Sequence, residues 1–254
     1  MNQLIITSGI ALSFILFQLI FPYRSPKNLD FSKIEENKKK FNRLEKMAVL
    51  WIFLSLGFIS FLVFILGTNL VDILFSNDYE YIMKPSSLFW FLPGLILGFG
   101  FLRVPMDFIY KLYLKNDYYL YKHFTNMKHG FDGEKIWRPL ELIFSITGMV
   151  FFILGLNWFV RINSNQIEIN ELFNLRSKTY KIENIVSLAH SDIFLTQKGK
   201  SKSIDHYVIG MNDEYKWSSH VFGFFALKKD KELLGKKIKE LSDKKGLAIK
   251  EVQH

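Results

Sequence analysis

Apolar residues along this chain gather into four blocks before Val160 and then give way to short alternating runs. Leu4 to Phe21 is eighteen residues without a charge, stopped by Pro22. As a helix it would extend about 27 Å, close to the hydrocarbon thickness of a bilayer. Met47 to Leu70 is also charge-free, with Trp51 near its Lys46 end, where an indole suits the headgroup region. Ser86 to Leu102 holds Pro93, Gly94, Gly98 and Gly100. The proline predicts a kink, and the Gly94/Gly98 pair predicts the close approach of another helix. Leu140 to Val160 opens beside Glu141 and closes on Asn157-Trp158, with Gly148 and Gly155 on one face. The pattern predicts four transmembrane helices. None of their cores holds an ionisable side chain, which counts against an ion-translocating mechanism. A cleaved leader is the rival reading of the first block. Met1-Asn2-Gln3 supplies no basic n-region, and Phe21-Pro22-Tyr23-Arg24 makes a poor cleavage site, so a retained anchor is expected.

Beyond Val160 the period shortens towards two, as strands require. The runs Trp158–Asn163, Gln166–Leu172, Ser177–Ile182, Ile185–His190, Ile193–Gln197, Ser203–Met211 and Glu214–Phe222 read as strands. A helix follows, with Asp230 as its cap, Leu234, Ile238 and Leu241 on one face, and Gly246 as its stop. Leu247–Val252 reads as a short final strand. The chain therefore divides into a membrane domain, residues 1–160, and a soluble domain, residues 161–254.

Charge adds an orientation. The net charge is +9 over 254 residues. Residues 23–46 hold eight lysines and arginines, residues 103–139 hold seven, and residues 71–85 hold only Lys84 against Asp72, Asp78 and Glu80. Basic loops resist translocation, so the two basic stretches belong inside. Four spans then leave the N-terminus and the C-terminal domain outside. The basic character of that domain does not oppose this, because long domains cross largely regardless of charge.

Each basic stretch has a pattern of its own. Phe31 to Lys46 has helical spacing, with Ile34, Phe41 and Leu44 on one face and Ser32/Glu35 as a capping box. It reads as a solvated helix leading into the second span and, compatibly, as a contact for anionic headgroups. Pro105 to Phe124 interleaves tyrosines with lysines, which predicts one amphipathic helix lying in the membrane interface. Tyr110, Tyr113, Trp137, Arg138 and Trp158 are the expected interface residues. His129, Asp132 and Glu134 form the nearest approach to a polar constellation, either a metal or acid/base site or, more simply, a turn bracketed by Gly130 and Gly133. Cysteine is absent, which excludes disulfides and thiolate chemistry. No nucleic-acid-binding module is recognisable, and no metal or cofactor is expected.

The run from Trp158-Phe-Val-Arg-Ile-Asn163 through Gln166-Ile-Glu-Ile-Asn170 to Leu175-Arg-Ser-Lys-Thr-Tyr-Lys-Ile-Glu-Asn-Ile-Val-Ser-Leu188 resembles bacterial pleckstrin-homology-like domains attached to membrane helices. The resemblance covers roughly Trp158 to Leu247 and implies a β-barrel closed by a helix, in a multi-pass protein of the bacterial cytoplasmic membrane. It also implies a binding or assembly role, with the bilayer and a protein partner or second copy as neighbours, rather than an enzyme. The wider chain resembles multi-pass bacterial membrane proteins of uncharacterised function, which offer no catalytic residues to carry over. In relatives of this fold, basic loops hold phosphorylated headgroups; the corresponding tip here is Lys198, Lys200 and Lys202, with a solvated hairpin as the simpler reading. Ser219 and His220 are adjacent in an expected strand, so their side chains point apart and do not form a nucleophile–base pair. A factor acting at the membrane surface, and a transporter or enzyme using residues 129–134, are the alternatives to a binding protein.

Overall fold

The computed structural model describes residues 12–13, 15–74, 81–195, 201–220 and 228–251. The chain forms two compact units, each discontinuous in sequence: residues 1–62 with 94–149, and residues 63–93 with 150–254.

In the first unit, residues 15–20 are helical, whereas half of the first apolar block lies outside the described residues. Helix α1, Phe31–Leu74, is unbroken over 44 residues. It lends its first 32 residues, through Leu62, to this unit. The basic stretch 31–46 is thus the start of the second span's own helix. Its cap is Asp30, whose carboxylate accepts from the Lys33 amide at 3.2 Å and the Ser32 hydroxyl at 2.6 Å, and not the expected Ser32/Glu35 box. Helix α2, Phe91–Gly100, follows a 3₁₀ turn, Ser87–Trp90. Pro93 therefore stands in the first turn of α2, where a missing donor costs little, instead of kinking mid-helix. The bend, 43°, comes after Gly100, before helix α3, Arg103–Leu114.

The expected single helix over 105–124 is two: α3 and α4, Tyr118–His129, joined by a 3₁₀ turn at Lys115–Asp117. Lys115 takes φ +49°, which ends α3. Folding back lets both helices pack on α1. Ile34, Phe41, Leu44, Tyr110, Leu114, Tyr118, Tyr121 and Phe124 form one buried cluster. Helix α5, Gly133–Leu156, starts seven residues before Leu140 and runs through Pro139. Glycines set the helix contacts in the way their spacing predicts. A methyl on Gly94 would lie 3.0 Å from the Ser60 carbonyl oxygen, one on Gly98 2.6 Å from Leu56, and one on Gly148 2.9 Å from the Leu97 backbone nitrogen. The helices are apolar where they are not in contact: Phe53, Phe58 and Leu66 on α1, and Leu142, Ile146 and Ile153 on α5, are exposed.

Helices α1 and α5 are each long and apolar enough to cross a membrane, and the bent run from Ser87 to His129 adds a third crossing if it counts as one span.

The second unit holds two four-stranded sheets. One is β1, Tyr81–Met83; β2, Phe159–Ile162; β3, Gln166–Asn170; and β4, Lys178–Lys181, antiparallel in that order. The other runs β7, Lys216–Ser218; β6, Ser201–Met211; β5, Ile185–Leu195; and β8, Ile249–Glu251. The two runs expected at 185–190 and 193–197 are one strand, β5, with register shifts after Ile185 and Ser191 where a break was expected. Helix α6, Lys228–Lys245, begins before Asp230, so that residue lies in its first turn instead of capping it; Gly246, at φ +65°, ends it as predicted. Val160, Ile162, Ile167 and Ile169 line one face of the first sheet at 1 % exposure or less. They share a core with Ile209, Met211 and Trp217 of the second sheet and with Leu234, Ile238 and Leu241 of α6. Strand β1 was not foreseen. It belongs to the connection between the second and third apolar blocks, yet Met83 pairs with Val160 and is fully buried.

Candidate functional site

The polar residues of the first unit converge on a cavity of about 300 Å³. Helix α3 supplies Arg103, Asp107 and Tyr110; α4 supplies Tyr118, Tyr121, Lys122 and His129; α5 supplies Glu134 and Trp137. Arg103 stands 3.3 Å from Asp107, 3.8 Å from Glu134 and 3.4 Å from Glu141. The Lys122 ammonium donates to Glu134 at 2.5 Å and lies 3.8 Å from Asp107. Two cations, from α3 and α4, therefore face three carboxylates, from α3 and α5.

Burial disfavours the Lys122 ammonium, but Glu134, Tyr118 and Asp107 beside it prevail, and its pKa rises above the ordinary lysine value. The hydrogen bond from Lys122 holds Glu134 below the usual carboxylate range. Burial pushes the Tyr118 phenol up to about 12. Lys122 stays protonated and Glu134 ionised near neutrality, so neither is poised to exchange a proton.

The candidate trio His129, Asp132 and Glu134 is divided among separate partners. His129 places Nε2 2.8 Å from Glu45 on α1 and stacks on Phe131. Asp132 accepts from the Glu134 amide at 3.1 Å, at the start of α5. Glu134 is taken by Lys122. Around them, Gln18 donates to the His129 carbonyl at 2.8 Å, and the Asp132 amide donates to the Phe21 carbonyl at 2.9 Å. The turn thus fastens the end of the first apolar block. Among the described residues, no group of three or more His, Asp or Glu could hold a metal ion.

The expected interface residues part company. Tyr113 and Trp137 are exposed, and Arg138 is exposed while pairing with Glu134 at 3.2 Å. Tyr110, however, is buried, its hydroxyl donating to the Leu44 carbonyl at 3.1 Å. Trp158 is also buried, its ring 5.6 Å from that of Phe89. Both rings face protein where lipid headgroups were expected.

No known protein family, curated protein or solved structure matches the chain. Any functional reading therefore rests on its own residues.

In the second unit, Lys198 and Lys200 lie outside the described residues, and Lys202 pairs with Phe194 in the β5–β6 hairpin. Ser219 and His220 follow β7 in a short helical turn, not in a strand. The Ser219 hydroxyl accepts from the Tyr207 amide at 2.9 Å, which gives it a structural task. A feature the alternation pattern concealed is the β3–β4 loop, where Phe173 and Leu175 are 76 % and 80 % exposed. Two apolar side chains interrupting a polar loop, Asn174 between them, were the available signal.

Proposed function

We propose that this chain is a non-enzymatic, multi-pass membrane protein whose C-terminal domain, of pleckstrin-homology-like type, binds a protein partner or a second copy of itself. The observation that carries this reading is the display of Phe173 and Leu175 on the β3–β4 loop. Exposed apolar side chains on a soluble domain are a cost unless a partner covers them. Two sheets capped by one C-terminal helix support the pleckstrin-homology-like assignment. The use of a membrane connection as strand β1 and the parallel β8 after the helix are departures from it.

Four spans and an outward C-terminal domain complete the proposal. A parity argument supports the third span. Residues 81–83 and 159–162 are paired in one sheet and so lie on one side of the membrane. With α5 as one crossing between them, one more before Gly133 would return the chain to the same side, and the stretch around α2 is the apolar segment available for it. The basic residues of 23–46 and 103–139 then lie inside, as translocation energetics require.

Two experiments test the reading. Crosslinking in native membranes should trap a dimer or a partner, and Phe173→Ser with Leu175→Ser should abolish that species. A monomer with no trapped neighbour overturns the binding role. A reporter active only outside the cytoplasm, fused after His254, should be active; an active cytoplasmic reporter at the same point would reverse the orientation.

A further inference from the structure

A groove between α1 and α3 in the first unit encloses about 490 Å³. Its wall changes character along one face of α1. Lys39, Lys40 and Arg43 line one end, Met47 and Trp51 the other, and Tyr113 closes it from α3. From Lys40 to Trp51 the helix rises about 16 Å, and charge stops at Lys46, where the apolar span begins. With α1 crossing from Met47 as proposed above, the cationic end falls at the depth of lipid headgroups and the apolar end at that of the upper acyl chains.

Two of the three cations of this groove lack the carboxylate partners that those of the neighbouring cavity have. No carboxylate lines it. Among the described residues, Lys39 and Arg43 have no acidic partner within 4 Å. Lys40 is 3.3 Å from Asp117 in a pair that is over a third exposed, and its ammonium lies 5.7 Å from the Tyr113 ring. An excess of positive charge running into an apolar slot matches a molecule with an anionic head and a hydrocarbon tail. A soluble anion would use only half of it.

We infer that the α1–α3 groove is a binding site for an anionic phospholipid, its phosphate held by Lys39, Lys40 and Arg43 and its first acyl carbons against Met47 and Trp51. The site does not depend on the binding role of the C-terminal domain. Basic pockets at the cytoplasmic ends of spans are suited to this chemistry, and arginine adds a bidentate grip on phosphate.

The test is quenching of Trp51 fluorescence in the full-length protein reconstituted in vesicles, with the Trp51→Phe protein subtracted. Vesicles contain brominated phosphatidylglycerol or brominated phosphatidylcholine at equal mole fraction. Quenching by the anionic lipid should exceed that by the zwitterionic lipid, with an apparent affinity at least about tenfold higher. The preference should vanish in Lys39→Gln/Lys40→Gln/Arg43→Gln and persist in Arg43→Lys. It should also persist in Lys111→Gln/Lys115→Gln; Lys111 packs towards the Tyr118 ring, 5.5 Å away. Equal quenching by both lipids overturns the site, as does a preference unchanged in the triple variant. Equal loss in the Lys111/Lys115 variant would mean diffuse surface potential and would also overturn it. Relief of quenching by inorganic phosphate alone would make the groove a soluble-anion site and end the lipid assignment.

Discussion

Replacing Gly148 by alanine should destabilise the first unit, although alanine is the better helix former by about 1 kcal/mol. The added carbon would sit 2.6 Å from the Leu97 Cγ and 2.9 Å from the Leu97 backbone nitrogen. Relaxed carbon contacts need about 3.5–4.0 Å, so α5 and α2 must separate by roughly 0.5–1 Å. A side chain can rotate away, but a backbone nitrogen cannot, so the cost falls towards the upper part of the 1–3 kcal/mol range for overpacking. After the propensity gain, a net loss of about 1–2 kcal/mol remains. For a chain of this size that lowers the melting temperature by about 2–8 °C, read by the helical circular dichroism of the full-length protein in detergent. Gly57→Ala is the matched control, because nothing lies within 4 Å of a methyl there; it should melt at or above the unaltered temperature. A Gly148→Ala protein as stable as the parent, or an equal fall at Gly57, would refute the claim that glycine contacts set the helix spacing.

Other substitutions probe the remaining layers. Ile209→Ala, at a fully buried site, should cost about 2–5 kcal/mol, seen as faster proteolysis within the C-terminal domain and unchanged cutting elsewhere. Lys122→Met should cost about 1–3 kcal/mol by removing one of the two cations that Asp107 and Glu134 share, leaving Arg103 alone between them. Adding Glu134→Gln should recover part of the loss, and a double-mutant cycle that shows no coupling would dismiss the ion network as structural. Tyr180 should confer alkaline sensitivity. Burial, with Asp213 3.0 Å from its hydroxyl, raises its pKa to about 12 from an unfolded value of about 10. The folded state therefore holds the proton more tightly. That stabilisation is complete below about pH 10 and is lost as pH rises through about 12. Tyr180→Phe should flatten the alkaline limb of a stability–pH curve, and an unchanged limb would assign the loss elsewhere.

Local periodicity made several elements legible. Ile34, Phe41 and Leu44 share a face because 3.6 residues make a turn, and the same face is buried. Ile167 and Ile169 alternate with Glu168 because a strand has period two, and both are buried. Where a single pattern met two partners, it misled. The tyrosines of 105–124 looked like a membrane-facing stripe, but Asn116-Asp117 is a turn, and folding back turned Tyr110, Tyr118 and Tyr121 towards α1. Ser191-Asp192 looked like a break, yet the sheet absorbed it as an irregularity in β5. The ion network was hidden for a different reason. Arg103, Lys122 and Glu134 come from three helices, and charges on three helices have no common spacing to read. Strand β1 is only three residues long, with a partner that lies beyond four further helices, so no local signal could reveal it.

That distant pairing has a consequence for how the protein is made. Strand β1 leaves the ribosome well before β2, and α2 to α5 are synthesised between the two events. Throughout that interval the short strand waits without its partner, its backbone donors and acceptors served by water. Its closure with β2 spans a long stretch of chain, the kind of non-local contact that forms late and slowly. The first sheet is therefore complete only after α2 to α5 have been made, and on the proposed topology its closure becomes a check on correct insertion. On the proposed topology, a chain that failed to insert one of the two spans lying between β1 and β2 would present these strands to opposite sides of the bilayer, leaving an unpaired edge open to aggregation.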